Sequence, residues 1–164
     1  MDRSILMAIV LVFLAAMLAL LVVGWRSRKR RQKSVAAPIT APAELGAAIG
    51  TFTGKYVATT ASADPFDRIA VHGLGFRGNA SLTLATAGVL VQRVGERDFW
   101  IPAGDLTGVR RATWTIDRAV ERDGLHLLEW HLGDRSVDSY FRMDEPAAFE
   151  NAIEPLIAIE RQAK

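Results

Sequence analysis

Twenty-one consecutive residues, Ile5 to Trp25 (ILMAIVLVFLAAMLALLVVGW), carry no charge. As a helix they reach roughly 31 Å, about the thickness of a bilayer's hydrocarbon core. A cleaved signal peptide has a basic start, a shorter apolar stretch and a small-residue cleavage site. Here the start is MDR, with its charges cancelling, and the apolar run ends in charge. The run is therefore expected to be an uncleaved transmembrane helix over residues 5–25.

Directly after it, GWRSRKRRQK packs Arg26, Arg28, Lys29, Arg30, Arg31 and Lys33 into eight positions. Against Arg3 and the amino terminus, this asymmetry orients a single span with its C-terminal side in the cytoplasm. The same cations attract anionic headgroups, at about 1 kcal/mol per residue near the surface, so the cluster is expected to contact the membrane surface. The predicted location is the plasma membrane, single-pass, with the amino terminus outside.

The formal charge of +2 hides a division. Residues 34–164 hold 13 basic and 17 acidic side chains, a net −4. A nucleic-acid binder would spread basic residues over a folded face, which this pattern does not do. No cysteine is present, which removes disulfides, thiolate nucleophiles and cysteine-based metal sites.

Residues 26–50 read as the basic stop followed by an Ala/Pro linker, SVAAPITAPAELGAAIG, long enough to let a domain at 51–164 stand off the membrane. From Thr51 onward, short β-rich stretches alternate with Gly, Asp and Pro every eight to twelve residues, the pattern of an all-β barrel or sandwich. Eight strands are predicted: Phe52–Thr59, Asp67–Val71, Ala80–Ala85, Val89–Arg93, Asp98–Pro102, Leu106–Ala112, Leu125–His131 and Ser136–Arg142. Gly88 and Gly133-Asp134 are expected to turn two hairpins. The period of two puts Leu128, Trp130 and Leu132 on a core face. The last segment changes to helical spacing, with Phe149, Ile153, Leu156 and Ile157 on one side, Asp144 as its N-cap, and Pro155 expected to kink or split it.

GLGFRG, Gly73 to Gly78, has the spacing of a dinucleotide-binding loop, but the following NASLTLATAG alternates like a strand and offers no helix dipole for a phosphate. His126 and His131 lie five apart on one predicted strand and point to opposite faces, so they do not share a metal ion. No nucleophile elbow or P-loop occurs. The sequence therefore predicts no catalytic residue, no cofactor and no metal. Trp100, Trp114 and Trp130 are expected in the core.

Taken together, VHGLGFRGNASL, VLVQR, IPAGDLTGVR and EWHLGDRSVDSYFR resemble an actinobacterial family of small single-pass membrane proteins with a pleckstrin-homology-like (PH-like) domain. The resemblance implies a mainly β, α+β fold: an N-terminal transmembrane helix, then a seven-stranded, partly open barrel capped by a C-terminal helix. That is one strand fewer than the eight predicted, so either Asp98–Pro102 is irregular or two segments form one bent strand. The resemblance says little about activity; with no catalytic constellation in the sequence, the expected function is a non-enzymatic, membrane-anchored interaction module that binds a protein partner, or scaffolds a membrane complex, through a sheet edge or its loops. Anionic headgroup binding by the barrel, or service as an accessory subunit of a transport system, is the alternative. Where members of the wider fold hold headgroups with Lys and Arg, this first loop reads TTASADPFDR, with Asp64 and Asp67 beside Arg68. The candidate partner contacts are His72 and Arg77, polar groups in a glycine-rich turn that core packing does not obviously require.

Overall fold

The charge-free run coils into α1, Arg3–Arg31, which holds mean hydropathy 3.2 over its most apolar stretch and buries none of its side chains. In the computed structural model, which describes residues 2–62, 64–112, 114–115, 118–119 and 124–162, the chain divides into two compact units, residues 1–34 and 35–164. α1 does not stop at Trp25. It continues for another turn and a half through the cluster, so Arg28, Lys29, Arg30 and Arg31 form its last turn, at the carbonyl end of the helix, where positive charge is favoured. The Lys29 ammonium lies 3.9 Å over the Trp25 ring.

The second unit is built on ten strands among the described residues: β1 (Ala48–Ala61), β2 (Asp64–Arg68), β3 (Gly78–Ala85), β4 (Gly88–Arg93), β5 (Phe99–Pro102), β6 (Leu106–Ala112), β7 (Trp114–Thr115), β8 (Arg118–Ala119), β9 (Leu125–Leu132) and β10 (Arg135–Met143). Seven follow one antiparallel path, β5-β4-β3-β1-β10-β9-β6, which does not close. β2 pairs with β1 off this path, and β7 and β8 form a separate pair. The eight strands predicted from sequence all have counterparts. The surplus over seven is β2, not an irregular Asp98–Pro102, and it lies earlier than the predicted Asp67–Val71. Of the expected core tryptophans, Trp100 and Trp130 are buried, while the Trp114 side chain lies outside the described residues.

β1 is long because it serves both halves of the barrel. Ala48 to Tyr56 pair with β3, and Gly54 to Ala61 pair with β10. Gly54 stands at the overlap, where a Cβ would overlap the Arg142 carbonyl oxygen and lie 2.9 Å from Met143 Cα. The register slips between Tyr56 and Ala58, which lets the strand bend around this corner. Gly88 also serves a close approach, since its added Cβ would overlap the Ile101 carbonyl on β5. The β3–β4 turn itself is Thr86-Ala87.

The inward faces form one core that includes Tyr56, Leu82, Leu84, Val89, Val91, Leu128, Trp130 and Leu132. α2, Pro146–Gln162, closes it with Phe149, Ile153, Leu156 and Ile157, as the helical spacing predicts. Pro155 lies inside α2 and does not split it. Asp144 lies two residues before the helix, and its carboxylate accepts a 2.8 Å hydrogen bond from the Thr53 hydroxyl on β1.

The linker reading of residues 34–47 does not hold. Val35 is 4% exposed and part of the core, with Ala36 packed beside it. The Trp100 amide on β5 donates to the Ile39 carbonyl at 2.9 Å, and Ala47 and Thr86 exchange two further bonds. Residues 35–47 are thus a strap on the domain, drawn in because an apolar side chain fits the core and β5 has a free edge. Val35→Asp in residues 35–164 would place an unpaired charge in that core, so the strap should release instead. The loss is then capped at about 2 kcal/mol, the burial of one valine. Limited proteolysis within 36–47 should accelerate while the barrel stays folded, and unchanged cleavage would refute the strap's anchoring role.

Candidate interaction surface

Antiparallel pairing collects the end of β1, the start of β3, the end of β4 and the β9–β10 turn at one end of the barrel. The glycine-rich segment 71–77 crosses this end, and Leu74 makes it stay there. Its side chain is fully buried, and its carbonyl accepts from the Tyr56 hydroxyl at 2.6 Å and from the Thr59 amide at 3.0 Å. The same Tyr56 oxygen lies 2.7 Å from Thr59 Oγ1, which lies 2.6 Å from Ser139 Oγ, and Ser139 accepts from the Trp130 indole at 2.9 Å. Burial pushes the Tyr56 hydroxyl far above its ordinary pKa, so it stays a donor. This polar chain crosses the core with its hydroxyls partnered and fixes the loop to the sheet.

The two candidate contacts differ in kind. His72 adopts φ 56°, and its Nε2 lies 2.9 Å from the Val35 carbonyl, so it ties the strap to the loop. Its ring is otherwise exposed, as is Arg77. The loop therefore combines a scaffold residue and an exposed cation on either side of the Leu74 plug. The six cluster residues lie on the other compact unit, four of them in the last turn of α1.

Two arrangements escaped sequence reasoning. Arg93 is 5% exposed beneath the loop, donates to the Gly73 and Arg97 carbonyls at 2.7 and 2.9 Å, and sits 4.9 Å from the Tyr56 and Phe99 ring centroids. A signal existed: in VLVQR it shares the inward parity of Val89 and Val91. It roofs a cavity of about 310 Å³ whose other walls include Pro38, Thr40, His72 and Glu96.

The second arrangement staples α2 to the sheet. Arg111 on β6 grips Glu150 with two bonds of 2.6 and 2.7 Å, and the buried His126 of β9 shares Glu150 Oε1 at 2.8 Å. Arg111 holds the Glu150 carboxyl below its ordinary pKa. Burial holds His126 below its own, outweighing the pull of Glu150. Its folded state thus favours neutral imidazole, so stability is lost as pH falls through the unfolded value near 6.5. The Glu150 contribution is lost only lower, as pH falls below the ordinary carboxylate range. The melting temperature of residues 35–164 should decline from pH 7.5 to 5.5, and His126→Gln should flatten that decline. An equal slope in both would show that another group titrates.

Among the described residues no cluster of three or more His, Asp or Glu side chains is arranged to hold a metal ion.

A family model described as bacterial PH domain-like matches residues 34–156. Among solved structures, the C-terminal domain of an unknown protein from Leishmania infantum is similar with TM-score 0.41 and 11% identity, over 67% of this chain and 84% of that one. A structure of Vav1 with an allosteric inhibitor is similar with TM-score 0.42 and 13% identity, over 70% of this chain and 27% of that one. No curated protein matches the chain. The matched segment begins one residue before the buried Val35, takes in the strap and the whole seven-strand path, and ends within α2: this chain belongs to the bacterial PH domain-like family.

Proposed function

We propose that the protein is a single-pass, membrane-anchored PH-like interaction module, non-enzymatic, which presents its barrel on the cytoplasmic face to a protein partner. PH-like domains are interaction modules as a class, and this one follows a helix long and apolar enough to cross a membrane. The observation that carries the reading is the junction. Only residues 32–34 separate the basic end of α1 from Val35, the first core residue of the domain. Such a module works at the surface to which it is tied. Docking by strand addition is disfavoured, because the β5 edge already engages Ile39 and α2 packs against β6. The loop end, with Arg77, is the favoured contact.

The test uses the full-length protein in its native membrane with a photocrosslinking residue at position 77. Capture of a defined protein, lost on excess unlabelled protein, supports the reading; capture of lipid alone refutes the protein-partner half of it. His72→Ala is expected to lower the melting temperature by several degrees, because it removes the bond to the Val35 carbonyl.

A further inference from the structure

Arg93 is a buried cation that faces only neutral groups. It is 5% exposed, and its guanidinium donates to two backbone carbonyls, those of Gly73 and Arg97. Its Nε is buried without a hydrogen-bond partner, and among the described residues Arg93 forms no ion pair with a carboxylate. The Tyr56 and Phe99 rings, 4.9 Å away, contribute partial charge alone. A guanidinium withdrawn from water is costly unless an anion meets it. Two acids stand close by in the chain, and neither does so. Asp98 accepts from the Arg93 backbone amide at 3.4 Å and from the Gln92 side chain at 3.3 Å. Glu96 projects to the position a β-carbon on Gly73 would occupy and does not pair with the guanidinium.

The 310 Å³ cavity lined by Arg93 is where an anion can reach it. Three segments distant in sequence wall it: Pro38 and Thr40 of the strap, His72 and Gly73 of the loop, and Glu96 to Phe99 at the β4–β5 turn. The strap wall is held in place by the Ile39 carbonyl on Trp100 and by His72 on the Val35 carbonyl. Its volume falls at the small end of the range for ligand sites, about 300–1,000 Å³, so the occupant is small. We propose that this cavity binds a small carboxylate, with the acid group on Arg93 and its carbon chain against Pro38 and Phe99.

The walls select against a phosphate. They carry two cations, Arg93 and Arg97, and two carboxylates, Glu96 and Asp98. With that balance there is no general pull on anions, and affinity rests on direct pairing with the buried guanidinium. A phosphate ester brings nearly two negative charges past Glu96 and Asp98, whereas a carboxylate brings one. Two sources offer this group, a free short-chain acid and the carboxyl end of a polypeptide. The site goes beyond the protein-partner reading above and stands whether or not α1 spans a membrane.

The test uses the full-length protein in micelles of an uncharged maltoside detergent, with binding read by saturation transfer from protein to ligand methyl groups. The probes are propionate, propionamide, acetyl-Gly-Ala with a free carboxyl end, its C-terminal amide, and methyl phosphate. At least one acid should bind, with a Kd of about 10 mM or tighter, and its amide roughly tenfold or more weaker. The tighter acid identifies the source. Replacing Arg93 would also remove the bonds that hold the loop, so the deciding variant is Glu96→Gln. It removes a repelling charge from the cavity wall and should tighten the acid about threefold or more, a gain that a purely structural Arg93 does not produce. Failure of both acids to bind, equal binding of acid and amide, methyl phosphate binding as tightly as the acid, or an acid affinity unmoved by Glu96→Gln would each overturn the proposal.

Discussion

Gly54→Ala is expected to cost about 3 kcal/mol or more and to lower the melting temperature of residues 35–164 by roughly 10 °C or more. The added methyl would occupy the space of the Arg142 carbonyl oxygen, with Met143 Cα at 2.9 Å, and both obstacles are backbone. No side-chain rotation can relieve the overlap. The sheet must either open β1 from β10 or lose the bend that lets β1 pair with β3 on one side and β10 on the other. Gly78→Ala is the matched control. It also lies in a strand, but its Cβ would meet only the Val94 carbonyl oxygen at an ordinary 3.5 Å. A change at Gly78 should stay within about 1 kcal/mol, the scale of ordinary strand propensity. Equal melting temperatures for the two variants would show that the corner has slack.

Replacing Arg26, Arg28, Lys29, Arg30, Arg31 and Lys33 together with glutamine is expected to change the orientation of α1. The apolar run is unaltered, so insertion persists, but the remaining charges, Asp2, Arg3 and the amino terminus, no longer oppose a larger basic flank. A reporter fused after Lys164 that is active only when exported should be silent in the natural protein and active in a substantial fraction of the variant. Activity in the natural protein would refute the cytoplasmic placement of the barrel. The α-helical form of the cluster adds a second consequence. Arg28 to Arg31 lie beside the carbonyls that end the helix, so their loss removes a favourable end interaction of about 0.3–1 kcal/mol and should fray the last turn.

The strap shows how a boundary can mislead. SVAAPITAPAELGAAIG has little charge, two prolines and no periodicity, all features of a spacer. Yet one valine near its start is buried and one backbone carbonyl, Ile39, completes a strand edge. Nothing local distinguishes Val35 from a solvent-exposed valine, because its burial depends on a gap between β-strands far along the chain. The consequence for function is large, since it shortens the connection between α1 and the domain from nineteen residues, 32–50, to three, 32–34.

The loop 71–77 was legible only in outline. Its glycines marked a tight connection, and His72 and Arg77 stood out as polar groups within it. The split between them was invisible, because the His72 partner is the Val35 carbonyl, 37 residues away. Leu74, the residue that fixes the loop, read as one apolar position among many.

Local chemistry determined much by itself. An apolar helix over Ile5 to Trp25, long enough to cross a membrane, follows from length and composition alone. The hairpin at 133–134, the existence though not the position of the one at 86–87, and the inward set Leu128, Trp130 and Leu132 follow from turn residues and a period of two. The face Phe149, Ile153, Leu156 and Ile157 follows from a period of 3.6. Each of these is settled within about ten to twenty neighbouring residues. What only the tertiary structure decided joins positions distant in the chain: Gly54 against Arg142, Val35 against His72, His126 and Arg111 on Glu150, and Arg93 under the Gly73 carbonyl. Those pairings depend on how the strands curve and on the gaps left between them, and pairwise packing of that kind leaves no periodic trace in the order of residues.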